Sequence, residues 1–85
     1  MPEISRFYGI VIVMRPDDHL PPHFHARYGG TWVSVRIADG DIIGYLAPRV
    51  LALIRRWWQL HREELSENWQ SMQQGQPPRY IEPLA

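Results

Sequence analysis

Residues 23–37 read HFHARYGGTWVSVRI, and this stretch decides the fold because two alternating segments flank a pair of glycines. The glycine pair, 29–30, suits the positive φ angles of a two-residue hairpin turn, so segments 23–28 and 31–37 are predicted to pair as antiparallel strands. On one face the predicted pairs are mostly apolar: Tyr28 with Thr31, Ala26 with Val33 and Phe24 with Val35. On the other face they are mostly polar: Arg27 with Trp32, His25 with Ser34 and His23 with Arg36. One face is therefore predicted to cover a core, and the other to carry the chemistry.

The segment before the hairpin is predicted to be a polar loop that positions the first hairpin strand. Residues 15–22 read RPDDHLPP, and the two final prolines cannot donate backbone hydrogen bonds and have a fixed φ. Further upstream, residues 4–14 are apolar at both odd and even positions from Phe7 onwards, which predicts one central strand buried on both faces. The loop thus joins a buried strand to the hairpin.

The segment after the hairpin is predicted to continue the sheet. An Asp-Gly pair favours a second tight turn, followed by a strand at 42–46. In that register Ile42 would pair with Ile37, and Tyr45 would lie near Ser34 on the polar face. The predicted sheet is therefore an antiparallel meander of about four strands.

A helical region is predicted to follow the sheet and cover it. Pro48 suits the first turn of a helix, and apolar residues then recur at spacings of three and four up to Met72. This run is longer than a sheet of short strands needs, so we expect either one long bent helix or two shorter ones. The break is expected near residues 61–64, where acidic side chains could begin a second helix.

Two adjacent tryptophans raise the question of how much of the helical surface is buried. Trp57 and Trp58 point to different sides of a helix, and a chain of 85 residues is not expected to bury both completely. We expect Trp58 and Trp69 to be core residues and Trp57 to be partly exposed. Residues 79–85 are predicted to form an extended tail, so the whole chain is predicted to have an α+β fold.

Composition limits the classes of function. The 85 residues fit one domain, 1–85, which excludes a multidomain enzyme. Nine arginines balance nine acidic residues, so no net charge draws the whole molecule to nucleic acid or to an anionic membrane. Cysteine is absent, so a metal ion would need histidine, carboxylate or water ligands. The first residues show no signal-peptide pattern and no stretch would span a bilayer, so we expect a cytoplasmic protein without a membrane partner.

Four segments resemble the bacterial family catalogued as domain of unknown function 4160: ISRFYGI at 4–10, DHLPPHFHARY at 18–28, WWQLHREELSENW at 57–69 and IEPL at 81–84. The resemblance implies a small prokaryotic protein that is encoded beside another short protein, in a toxin-antitoxin-like gene pair. It implies no particular reaction. The family pattern corresponds to the following residues of this chain: Pro22, His23, Phe24, His25, His61, Glu64, Leu65, Asn68 and Trp69.

The first candidate site is a metal site built on His23 and His25. Two histidines two residues apart on a strand project from the same face and can reach one divalent ion such as zinc. A third ligand could be Asp18 or His19 from the loop, or His61 from the helix. With an open coordination position, such a centre could ionise a bound water for hydrolysis. The arginine predicted opposite His23 counts against a cation there, and the sequence identifies no separate general base.

The same face is also a candidate surface for a partner protein or a nucleic acid, because it mixes cations with stackable rings. The leading hypothesis is a component of a two-gene module that acts through a small cognate protein, with contact to RNA or DNA and homo-oligomer formation left open. The alternative hypothesis is a histidine-based hydrolase or nuclease, with or without a metal ion. The predicted binding surface consists of His23, His25, Arg27, Trp32, Ser34, Arg36 and Tyr45.

Overall fold

The computed structural model describes residues 3–85 and has one sheet with two helices packed on one of its faces. The strands form a single antiparallel meander in the order β1-β2-β3-β4-β5. The predicted α+β class is confirmed, although the sheet has five strands rather than about four. Residues 1 and 2 of the predicted 1–85 domain lie outside the described residues. The elements are β1 (Glu3–Phe7), β2 (Ile10–Val13), β3 (His23–Tyr28), β4 (Thr31–Arg36), β5 (Ile42–Ile43), α1 (Pro48–Leu60) and α2 (Arg62–Gln73).

The β3–β4 hairpin has the predicted register at all six residue pairs. Gly29 and Gly30 form the turn with φ angles of 59° and 93°, which side chains with a Cβ rarely adopt. The apolar side chains of both strands are buried on the face that meets the helices. The opposite face, called the polar face below, carries His23, His25, Arg27, Trp32, Ser34 and Arg36.

The prediction of a single strand at 4–14 is wrong, because the chain reverses direction at Tyr8 and Gly9. Both residues have a positive φ, 50° for Tyr8 and 80° for Gly9, which is the geometry of a tight hairpin turn. Strands β1 and β2 therefore pair with each other, and Phe7 lies opposite Ile10. The expectation of burial on both faces holds for β2, in which all four residues are buried.

The predicted register of the last strand is also wrong. Ile42 pairs with Val35 instead of Ile37, a shift of two residues. The shift arises because the turn between β4 and β5 contains four residues, 37–40, rather than two. The backbone N–H of residue 36 donates to the carbonyl of residue 41 at 2.9 Å and closes this turn. As a result, β5 is a short edge strand of two residues.

The predicted break in the helical region is confirmed and lies at His61, which ends α1 and precedes α2. Pro48 is the first residue of α1, as expected. Glu63 and Glu64 lie in the first turn of α2, where the positive end of the helix dipole favours carboxylates. Within residues 3–85, neither helix has the length and apolar character needed to cross a bilayer.

The expectation that Trp57 is partly exposed is wrong, because its side chain is completely buried. Its ring centroid lies 5.5 Å from that of Phe7 and 5.6 Å from that of Phe24. Its indole N–H donates to the carbonyl oxygen of Glu82 at 2.9 Å. Trp57 therefore faces the sheet and is also hydrogen-bonded to the C-terminal segment, while Trp58 is buried as predicted.

Hydrogen bonds hold the extended tail against the body of the domain. The side-chain amide of Asn68 donates to the Arg79 carbonyl at 2.8 Å and accepts from the Arg79 N–H at 2.9 Å. The N–H of Ile81 donates to the carbonyl of Ile4 at 2.7 Å, and the Ile81 side chain is buried. The tail thus links α2 to the first strand.

We expect Gly40→Ala to destabilise the protein more than Gly75→Ala, although both glycines have similar positive φ angles, 73° and 78°. A Cβ on residue 40 would lie 2.8 Å from the Trp58 ring, whereas one on residue 75 would meet nothing within 4 Å. Backbone strain is about 1–2 kcal/mol at each position, and overpacking should add roughly 1–3 kcal/mol at residue 40 alone. Urea unfolding of the two variants measures the difference, and equal losses of stability would contradict the close contact with Trp58.

Candidate metal centre

The loop before β3 folds back over the polar face and brings Asp18 to His23 and His25. One ligand atom from each of these three residues lies within 4.8 Å of the other two. The Nε2 atoms of His25 and His23 lie 3.0 and 3.5 Å from the same Asp18 oxygen, Oδ2. The three side chains are only 12–14% exposed. The strand alternation predicted from the sequence aligns the two histidines, and the loop supplies the carboxylate.

The hydrogen bond at the other ring nitrogen of His23 fixes which nitrogen faces the carboxylate. His23 Nδ1 lies 2.7 Å from the carbonyl oxygen of Pro21. A carbonyl can only accept, so Nδ1 carries the hydrogen, and a neutral His23 then has a lone pair on Nε2. That lone pair is on the side of the Asp18 oxygen, where a proton or a metal ion would satisfy both groups. A histidine that donates its second N–H to a carbonyl is the usual arrangement in metal centres.

Burial controls the charge state of His25. Burial lowers the pKa of His25 below its ordinary value of 6.5, and the positive charge of Arg15 acts in the same direction. The hydrogen bond to Asp18 raises the pKa but does not compensate for these effects. His25 is therefore neutral at pH 7, which is the form that binds metal ions.

The metal-free protein should lose stability as the pH falls below about 6.5, because the unfolded chain then binds a proton at His25 that the folded chain does not yet bind. The loss should end once the pH has fallen through the lowered pKa of folded His25. An NMR pH titration of the His25 ring measures that pKa directly, and urea unfolding at several pH values measures the stability. A His25→Gln variant should lack this part of the pH dependence. A His25 pKa at or above its ordinary value would contradict the burial of this ring.

Aromatic contacts hold the two histidine rings in place. The ring centroid of His23 lies 4.9 Å from that of His25 and 5.5 Å from that of Trp69 on α2. The His25 centroid lies 6.5 Å from that of Trp32. The contact with Trp69 has no local sequence signal, because nothing near either residue indicates that α2 passes the start of β3. The hydrogen bond between His23 and the Pro21 carbonyl has a local sequence signal, since the two residues are only two positions apart.

The structure separates the two loop residues that the sequence offered as third ligand. Asp18 forms the candidate ligand group together with His23 and His25. His19 is exposed and lies outside this ligand group, with its ring centroid 6.0 Å from that of His23. His61, the alternative from the helix, is also outside the group. Its Nδ1 lies 2.5 Å from a carboxylate oxygen of Glu64, and its ring packs near Trp57.

Arg36 lies opposite His23 as predicted, but its guanidinium is paired with two carboxylates. Its guanidinium donates to both carboxylate oxygens of Asp39, at 2.9 and 2.8 Å, and lies 3.5 Å from Asp41. These bonds lower the pKa of Asp39 to about 2, with the Arg36 hydrogen bond as the largest cause. Arg36 therefore opposes a cation beside His23 less than its position alone suggests, since two carboxylates offset its charge.

Of the remaining residues in the predicted binding surface, Arg27, Trp32 and Ser34 lie on the polar face, whereas Tyr45 does not lie where it was predicted. Arg27 and Trp32 lie together, with the guanidinium carbon 5.8 Å from the ring centroid, and Ser34 pairs with His25. Tyr45 is exposed but lies beyond β5, and Ser34 pairs with Ile43 instead, so the predicted proximity of Tyr45 to Ser34 is wrong. The two-residue shift of β5 explains this difference.

The donor set of Asp18, His23 and His25 matches what divalent transition metals bind in proteins. Two imidazoles and a carboxylate leave coordination positions for water or substrate, as in catalytic zinc sites and in iron(II) centres with two histidines and one carboxylate. Magnesium and calcium prefer oxygen ligands, so they fit less well. The donor chemistry therefore favours zinc or a neighbouring transition metal.

Comparison with known proteins gives one family match. The family described as "Domain of unknown function (DUF4160)" matches residues 9–70, which is more than half of the chain and includes all three candidate ligands. No curated protein and no solved structure matches the chain. The family description assigns no chemistry, so functional inference depends on the geometry of the polar face.

Proposed function

The chain belongs to the DUF4160 family, and we propose that it is a divalent-metal-binding domain that acts as a metal-dependent hydrolase. Asp18, His23 and His25 are the proposed ligands. The observation that supports this proposal most strongly is the convergence of their three ligand atoms within 4.8 Å in a largely buried site. Zinc is the first candidate, because it accepts three protein ligands and keeps a position for water.

The proposed reaction needs an activated water and a group that moves its proton. A metal ion held by this ligand set would lower the pKa of a bound water towards neutrality. We assign the proton transfer to His19, because it is exposed beside His23 and does not belong to the ligand group. This assignment supplies the general base that the sequence did not identify.

Titration of zinc and manganese into the untagged, metal-free protein tests the proposal. We expect about one ion per chain, since residues 3–85 contain one such three-residue group, and loss of binding in the His23→Ala/His25→Ala variant. His19→Ala should keep the metal affinity and slow the hydrolysis of activated esters by about 100-fold or more, the usual contribution of a proton-transfer group. Equal metal binding by the wild type and the double variant would refute the site. Metal binding without ester hydrolysis would refute the hydrolase assignment alone.

A second proposal is that the protein works together with a small cognate protein, as a component of a two-gene module. The exposed side chains of Trp32 and Ile43, 38% and 72% exposed, lie on the polar face and support a protein-contact role there. Co-purification with the product of the neighbouring short gene tests it. Ile43→Glu should disrupt the complex, whereas Leu60→Glu, on the exposed side of α1, should not. No complex with the wild type would contradict the proposal.

A further inference from the structure

The polar face places two arginines and an indole beside the candidate metal centre. The guanidinium carbons of Arg15 and Arg27 lie 5.2 and 5.8 Å from the centroid of the Trp32 ring. That ring is in turn 6.5 Å from the ring of His25. Arg27 and Trp32 are both exposed, so a ligand can reach them. Each arginine is held near the face of an aromatic ring, which limits the freedom of its donors before a ligand arrives.

The charges around the centre favour an anionic ligand. Asp18 is the carboxylate of the ligand group, so a divalent ion bound there leaves a net positive centre. Arg15 and Arg27 add positive charge on the Trp32 side. Arg36 does not contribute, since Asp39 and Asp41 balance it. The cations beside the Trp32 ring therefore lie next to the candidate centre, within reach of an anionic ligand bound there.

The spacing along β3 suits a ligand with repeated negative groups. His25 and Arg27 are two residues apart on one strand face, about 6.6–6.8 Å by the rise of a strand. This is the separation of the two backbone positions, and it leaves room for a ligand that meets the metal ion and the arginine through two different groups. It is similar to the spacing of successive phosphates along an extended single strand, in which unpaired bases can also stack on an indole.

We propose that the loaded metal centre takes single-stranded nucleic acid as its substrate, with one phosphodiester at the metal, the next phosphate on Arg27 and a base stacked on Trp32. This inference rests on the proposed metal-dependent hydrolase. In the reaction, the water oxygen bonds to phosphorus and one P–O ester bond breaks. His19 takes a proton from the water and returns it to the leaving oxygen. The products are a strand that ends in a phosphate and a strand that ends in a hydroxyl group.

Fluorescence anisotropy of the zinc-loaded protein with a labelled single-stranded oligonucleotide tests the proposal, with hydrolysis-resistant phosphorothioate linkages to prevent cleavage. Arg27→Ala should weaken binding by about tenfold or more, since a charged hydrogen bond contributes roughly 1.5–3 kcal/mol. It should also make the slope of log affinity against log salt shallower by about 0.7, the value for one lost phosphate contact on a single strand. Trp32→Ala should weaken binding by at least about fivefold through lost stacking.

Arg49→Ala is the matched control, because Arg49 is an exposed arginine on α1, on the other side of the sheet. It should bind like the wild type, and the duplex and free nucleotide should bind more weakly than the single strand. If metal binds but Arg27→Ala and Trp32→Ala leave the affinity unchanged, this inference is overturned and the metal centre stands. Equal binding of the strand with and without zinc also overturns it. Failure of metal binding itself overturns the proposed function as well.

Discussion

Replacing Asp18 by alanine is expected to weaken zinc binding by more than about 100-fold. Loss of a residue that only orients a ligand already weakens metal binding by about 10–100-fold, and Asp18 is itself the proposed carboxylate ligand. Its Oδ2 atom lies within 3.5 Å of both histidine Nε2 atoms, so no other described side chain occupies an equivalent position. Competition for zinc with a chromogenic chelator measures the affinity over this range.

Asp17→Ala provides the matched control for this variant. Asp17 is the neighbouring carboxylate in the same loop, but it is exposed and lies outside the ligand group. We expect Asp17→Ala to bind zinc with the affinity of the wild type. Equal weakening in the two variants would mean that the loop contributes only general negative charge, and the assignment of Asp18 as a ligand would be wrong.

Trp57→Ala is expected to lower the free energy of unfolding by about 3–5 kcal/mol, the usual range for deleting a large buried aromatic side chain. The indole is fully buried between Phe7 and Phe24. Its removal also leaves the Glu82 carbonyl without the N–H that it accepts. Because a small domain has only roughly 5–15 kcal/mol of total stability, this loss should remove a substantial part of it.

Trp32→Ala is the matched comparison, because it removes the same type of side chain from an exposed position and so shows how much of the lost stability comes from burial. Trp32 is 38% exposed and lies on the polar face, outside the main core. Its removal should lower the free energy of unfolding much less, by about 1 kcal/mol. Chemical unfolding followed by circular dichroism measures both variants. Similar losses for Trp57→Ala and Trp32→Ala would contradict the description of the core.

The sequence predicts the hairpin well because local and nonlocal signals agree there. The glycine pair fixes the turn, and alternation on both strands identifies the same apolar face, which leaves one register. At 4–14, by contrast, the apolar run continues through Tyr8, and a tyrosine at positive φ is uncommon. The turn that separates β1 from β2 therefore has no strong sequence signal apart from Gly9.

Contacts between distant segments are the part of the structure that the sequence could not supply. The indole N–H of Trp57 donates to the carbonyl of Glu82, 25 residues later in the chain, and no periodicity within α1 indicates this contact. The third ligand of the candidate site also depends on a contact that the local sequence does not indicate. Strand alternation predicts that His23 and His25 face the same way, but the choice between Asp18 and His19 depends on the path of the loop.

The most direct test of the metal centre is a long-range proton–nitrogen NMR spectrum of the histidine rings during zinc titration. We expect the Nε2 resonances of His23 and His25 to shift on binding, while Nδ1 of His23 keeps the hydrogen that it donates to Pro21. The rings of His19 and His61 should keep their unbound tautomeric pattern, since neither belongs to the ligand group. Unchanged spectra for His23 and His25 at saturating zinc would contradict the proposed centre.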